Sequence, residues 1–126
     1  MRGGSTGSTS YSSAVDAYNS SLVKSAPATL SVAKTLSSGT TVGNYAIFAG
    51  GYTSSGYSST VEAYNQNLTK STLTTLSEAK REMASTSIGN YALFAGGYNH
   101  SLSTEYIATV EAYNASLARS TPTALS

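Results

Sequence analysis

His100 is the one side chain here that changes charge near neutral pH, because the sequence holds a single histidine. It stands in the run Tyr98-Asn99-His100-Ser101-Leu102-Ser103-Thr104-Glu105-Tyr106, where Glu105 could partner it as an acid–base dyad. A lone histidine in a polar, Ser-rich run reads more simply as a solvated loop side chain. There is no second histidine and no cysteine, so the usual nitrogen and sulfur ligands of a metal site are missing within one chain. Glu62, Glu111 and Asp16 fall at matching places in three similar segments. Carboxylates that cleave glycosides need one defined close separation, and recurring positions do not supply it. Turn capping, or pairing with Lys34 and Lys80, suits them better. Gly50-Gly51 and Gly96-Gly97 could be taken for phosphate-cradling loops, but no Lys-Ser/Thr pair and no helix-like stretch follows, so both read as backbone turns. The expectation is a chain that is not an enzyme and uses no cofactor or metal.

Binding chemistry is better represented. The chain has 10 Tyr against 2 Phe and no Trp. Tyrosine offers a flat apolar face and a hydroxyl together, which suits sugars and protein epitopes. Tyr52 and Tyr98 recur in step with their neighbours and read as packing residues. Tyr57 and Tyr106 show no strict partner in the sequence, and with Asn99 and His100 they form the candidate ligand-contact set. Asn19, Asn67, Asn99 and Asn114 each open an Asn-X-Ser/Thr triplet; three lie in one recurring turn, so composition accounts for them.

The 7 Lys+Arg and 6 Asp+Glu leave a net charge of +1, with only 10% of residues charged. No basic stripe points to nucleic acid, and no apolar run reaches the roughly 18 residues of a membrane-spanning helix. Low charge also leaves little repulsion between like chains. Residues 1–10 are dense in Gly, Ser and Thr, lack the apolar centre of a secretion signal, and are expected to be disordered.

What must position all these residues is a repeat. Ala17-Tyr18-Asn19 returns as Ala63-Tyr64-Asn65, Gly43-Asn44-Tyr45-Ala46 as Gly89-Asn90-Tyr91-Ala92, and Phe48-Ala49-Gly50-Gly51-Tyr52 as Phe94-Ala95-Gly96-Gly97-Tyr98, each 46 residues on. Ala112-Tyr113-Asn114 arrives 49 residues after its counterpart, so three residues are inserted between Gly97 and Thr109. Each unit reads as four short strands, called a to d from the inside outward. In the last unit strand a lies around Thr86 to Ile88, b is Tyr91 to Ala95 and c is Thr109 to Tyr113, with d somewhere in Leu117 to Leu125. Leu76 to Ala84 carries good helix formers and a possible cap at Ser77. Its counterpart, Ser31 to Leu36, holds β-branched residues, which favours a connection over a helix. The division is a half blade of c and d at 11–34, then full blades at 35–80 and 81–126.

Four-stranded units of this length fall in the range of propeller blades, which bury their faces against one another. The residues resemble the kelch family. The resemblance rests on the double glycine after strand b (Gly50, Gly51, Gly96, Gly97), the tyrosine of strand c (Tyr18, Tyr64, Tyr113) and the basic residue before the next blade (Lys34, Lys80). The family's tryptophan beyond that tyrosine is replaced by Ser25, Ser71 and Ser120, with Leu22, Leu68 and Leu117 nearby as a substitute anchor. The resemblance implies an all-β fold of four-stranded antiparallel blades, an incomplete ring in one chain, and the Ser/Thr/Tyr-rich arrays of large bacterial or phage surface proteins. Function is then expected to be binding or assembly, with self-association, a dimer first, completing a ring of about five blade equivalents. A fragment of a longer propeller fits the same residues. A glycan- or protein-binding role is the alternative, placed on the b–c loops, 53–59 and 99–108, because these differ in length and composition while the a–b and c–d turns do not.

Overall fold

The computed structural model describes residues 11–126; the expected disordered segment, residues 1–10, lies outside them. In chain order the strands are β1 (Ala17–Tyr18), β2 (Lys24–Ser25), β3 (Ser38–Val42), β4 (Tyr45–Ala49), β5 (Tyr52–Thr53), β6 (Gly56–Tyr57), β7 (Val61–Tyr64), β8 (Lys70–Thr72), β9 (Ala84–Ile88), β10 (Tyr91–Ala95), β11 (Val110–Asn114) and β12 (Arg119–Ser120). They form two four-stranded antiparallel sheets, β3-β4-β7-β8 and β9-β10-β11-β12, the two-stranded β1-β2, and a small β5-β6 hairpin. The chain is all-β, built of propeller-type blades that leave the ring open.

Local sequence explains the strand ends. Val42 pairs with Tyr45 across Gly43-Asn44, and Gly43 has φ +52° while Asn44 stays negative, the sign pattern of a type II′ hairpin turn. The c–d turns use a side chain instead. Asn65 Oδ1 accepts hydrogen bonds from Asn67 N at 2.9 Å and Thr69 N at 3.0 Å, and Asn19 and Asn114 do the same in their turns. Each of these turns then forces a leucine into the left-handed region, with φ +60° at Leu22, +62° at Leu68 and +64° at Leu117. An apolar anchor role suits Leu117, which packs on the core, but not Leu22, which is exposed. Strand d is shorter than expected. Only Arg119–Ser120 pairs with β11, and Pro122, lacking an N–H, carries the chain away as a strip fixed by Leu125 N donating to Ala108 O at 2.8 Å. Leu76 to Ala84 forms no helix. Its backbone is drawn to the preceding loop, with Leu76 N on Ser59 O at 2.9 Å and Lys80 N on Ser58 O at 3.1 Å.

The core lies between blades. Val42, Ile47, Ala49, Val61 and Ala63, one face of the first full sheet, join Ala92, Phe94 and Tyr113, the opposite face of the second. Leu73, Leu76 and Met83 from the connecting segment close this layer. Phe48 and Tyr64, on the other face of the first full sheet, meet Val15 and Leu30 of the half blade. The small residues Ala49, Ala63 and Ala92 let the sheets approach. Gly50 is the tightest point: with φ +67°, a Cβ there would lie 2.5 Å from the Lys80 carbonyl oxygen.

Candidate functional site

Two arrangements gather the side chains singled out by the sequence. The first lies on the side of the blades where the b–c loops and the d–a connections emerge. Strand β5 pairs Tyr52 with Tyr57, and in the next blade Tyr98 bridges to Tyr106 in the same way. Tyr57 and Tyr106 are therefore counterparts, and Tyr11 is the matching residue one unit earlier. The expectation that Tyr57 and Tyr106 have no strict partner is corrected: the three inserted residues sit in the tip of the hairpin and displaced the match. The rings form one row, with centroid separations of 6.3 Å for Tyr11–Tyr52, 4.9 Å for Tyr52–Tyr57, 6.3 Å for Tyr57–Tyr98 and 5.4 Å for Tyr98–Tyr106. Contacts within a blade alternate with contacts between blades, which is what packing of a repeat requires.

Arg81, which the sequence did not single out, sits in the middle of this row. Its guanidinium carbon lies 5.4, 5.6 and 5.5 Å from the rings of Tyr52, Tyr57 and Tyr98, within cation–π range of all three. Its Nε is buried without a hydrogen-bond partner among the described residues, and the Glu82 carboxylate is 3.8 Å away. The counterpart of Arg81 is Thr35, so the repeat pattern gave no sign of it. His100 is exposed, and its Nδ1 lies 3.2 Å from the Tyr57 hydroxyl. That hydroxyl, not Glu105, is its hydrogen-bond partner. Asn99 is buried and its amide is used internally, Nδ2 donating to Ala79 O at 2.7 Å and Oδ1 accepting from Ser101 N at 2.9 Å. Of the candidate contact set, His100 and Tyr106 are exposed beside the row, Tyr57 is half-buried within it, and Asn99 holds the loop.

The second arrangement takes up the repeated carboxylates and strand-c tyrosines. Glu111 and Lys80 are both fully buried and pair at 2.9 Å; Lys80 also donates to Thr109 Oγ1 at 2.9 Å, and Glu111 accepts from Ser77 N at 3.1 Å. Tyr113 OH donates to Thr74 O at 2.7 Å, and the Arg119 guanidinium to Thr75 O at 2.6 Å. One blade earlier the same contacts recur. Glu62 accepts from Ser31 N at 2.9 Å, Lys34 donates to Thr60 Oγ1 at 2.6 Å, Tyr64 OH donates to Ala28 O at 2.6 Å and Lys70 to Thr29 O at 2.9 Å. Strands c and d of each full blade thus grip the strip that leaves the blade before it. The earlier copy is looser: Lys34 Nζ is 3.9 Å from Glu62, while Lys70 reaches that carboxylate at 3.2 Å. Burial pushes the Lys34 ammonium below the ordinary lysine range, with Glu62 opposing the shift. Burial raises the Tyr64 and Tyr113 hydroxyls above theirs. In the half blade the counterparts are Asp16, Tyr18 and Lys24, with Lys24 on Asp16 at 3.4 Å.

No protein-family model matches the chain, and no curated protein matches it closely enough to count as a relative.

Proposed function

We propose that the chain is a non-catalytic, kelch-like propeller repeat segment whose work is assembly with blades of its own kind. One observation carries this reading. The strand-c tyrosine is 1% exposed at Tyr64 and 0% at Tyr113, where another unit covers it, and 58% exposed at Tyr18, where none does. The opposite end shows the same contrast: Val42 is buried and its counterpart Ile88 exposed. Among the described residues, surfaces that the repeat covers elsewhere are thus open on both end units, and open apolar surface favours association. Light scattering at micromolar concentration tests it. The expected mass is that of two or more chains; a stable monomer overturns the reading.

A second reading places a sugar or a protein loop on the tyrosine row, favoured by the orphaned Nε of Arg81 among three rings. Screening a glycan array with the wild type and with Arg81→Ala tests it. A bound sugar lost in the variant supports this reading, and a sugar bound equally by both overturns it.

A further inference from the structure

We propose that copies of the chain join head to tail, the outer strands of one copy's half blade closing on the strip at residues 123–126 of the next. The inference rests on the assembly reading and adds to it a register and a polarity. Within the chain the joint is made twice with the same chemistry: a tyrosine hydroxyl and a cationic side chain donate to two successive strip carbonyls, and a carboxylate accepts from the N–H two residues further on. The half blade carries the gripping side in Tyr18, Lys24 and Asp16, at the positions of Tyr64, Lys70 and Glu62. Tyr18 is exposed, and Lys24 already lies on Asp16 as Lys70 lies on Glu62.

The other end carries the gripped side. Thr123, Ala124 and Ser126 stand at the positions of Thr74, Thr75 and Ser77. Their strip is preset, because Leu125 N donates to Ala108 O as Leu30 N does to Ser13 O and Leu76 N to Ser59 O. Among the described residues, the Thr123 and Ala124 carbonyls accept no hydrogen bond. Leu30 is buried beside Tyr64, whereas its counterpart Leu125 is 51% exposed, awaiting a ring such as Tyr18. In the joined state Tyr18 OH donates to Thr123 O, Lys24 Nζ to Ala124 O, and Asp16 accepts from Ser126 N. Ala14 stands where Thr60 and Thr109 receive a lysine in the internal joints. Among the described residues each copy presents one socket and one strip, so the contact is heterologous and builds rings or rows.

Two variants altered at exposed positions test this by sedimentation velocity, with thermal melting as the check on folding. Tyr18→Ala/Lys24→Glu removes the socket, and Leu125→Asp spoils the strip. Each alone is expected to be monomeric, and an equimolar mixture is expected to form a dimer that grows no further. The milder Tyr18→Phe removes one hydroxyl and is expected to weaken association about fivefold. A wild type that associates while the variants associate equally well, or a mixture that restores nothing, overturns the head-to-tail register and leaves the assembly reading standing. A wild type that stays monomeric overturns the assembly reading, and this register with it.

Discussion

Two buried ion pairs at equivalent positions differ in quality, and the difference decides what each is worth. Lys80 and Glu111 meet at 2.9 Å with every nearby donor and acceptor engaged, whereas Lys34 stands 3.9 Å from Glu62, whose Oε2 has no hydrogen-bond partner among the described residues. Removing one member of a well-made buried pair strands the other charge and costs about 3–5 kcal/mol. Lys80→Met is therefore expected to lower the unfolding free energy by that amount, and Lys34→Met by clearly less, because Lys70 continues to neutralise Glu62. The double variant Lys80→Met/Glu111→Leu should be far less damaging than the sum of its parts, since both fully buried charges leave together and Glu78, the other carboxylate near Lys80, is partly solvated. Chemical denaturation of the wild type, Lys34→Met, Lys80→Met, Glu111→Leu and the double variant measures this, and strictly additive losses in the double variant would contradict the pairing. Glu111 and Lys80 were legible in the sequence as a recurring carboxylate and a recurring base. Their burial was not, because nothing in the spacing says that a strip from the preceding blade covers them.

At the level of elements, the sequence announced the strands by repetition. Tyr91 to Ala95 and Gly89-Asn90 fell where β10 and its turn lie, because an apolar run and a turn dipeptide are local signals. What escaped was non-local or hidden by an insertion. Tyr57 and Tyr106 lost their correspondence to three residues at a hairpin tip, although Tyr11-Ser12-Ser13 and Tyr57-Ser58-Ser59 stood 46 apart as a clue. Arg81 left no trace, since its place between three rings depends on two loops and a connection meeting in space. The left-handed leucines were equally illegible. A bulky residue at φ near +60° costs about 1–2 kcal/mol, and a glycine would be expected there. The asparagine that organises each of these turns imposes it.

For the molecule as a whole, the tyrosines that tie one blade to the next make stability depend on alkaline pH. Burial raises the folded-state values of Tyr113 and Tyr64, so the unfolded chain releases these protons first, from about pH 10. Above that pH the folded state holds more protons, and stability falls as pH rises, by at most about 1.4 kcal/mol per pH unit for Tyr113. Lys34 acts in the opposite sense. Its lowered value means that the folded state binds fewer protons only between that value and about pH 10.5, so its burden lightens as pH rises through that window and then ceases to change. Above about pH 10.5 Lys34 no longer offsets the decline that the buried tyrosines impose. Tyr113→Phe is expected to flatten the decline while lowering stability slightly at neutral pH. Melting curves between neutral pH and pH about 11 check this, and an unchanged alkaline slope in the variant would refute it.

The grip of each blade on the strip before it has an energetic consequence of its own. Among the described residues every such contact joins neighbours along the chain and none skips a unit, so the free energy behaves as a one-dimensional sum: a term for each unit plus a term for each joint between nearest neighbours. The described chain contains two joints of unequal strength, the tighter between the full blades and the looser at the half blade. Cooperativity then resides in the joints, and lengthening the row by one unit adds one unit term and one joint term without altering those already present.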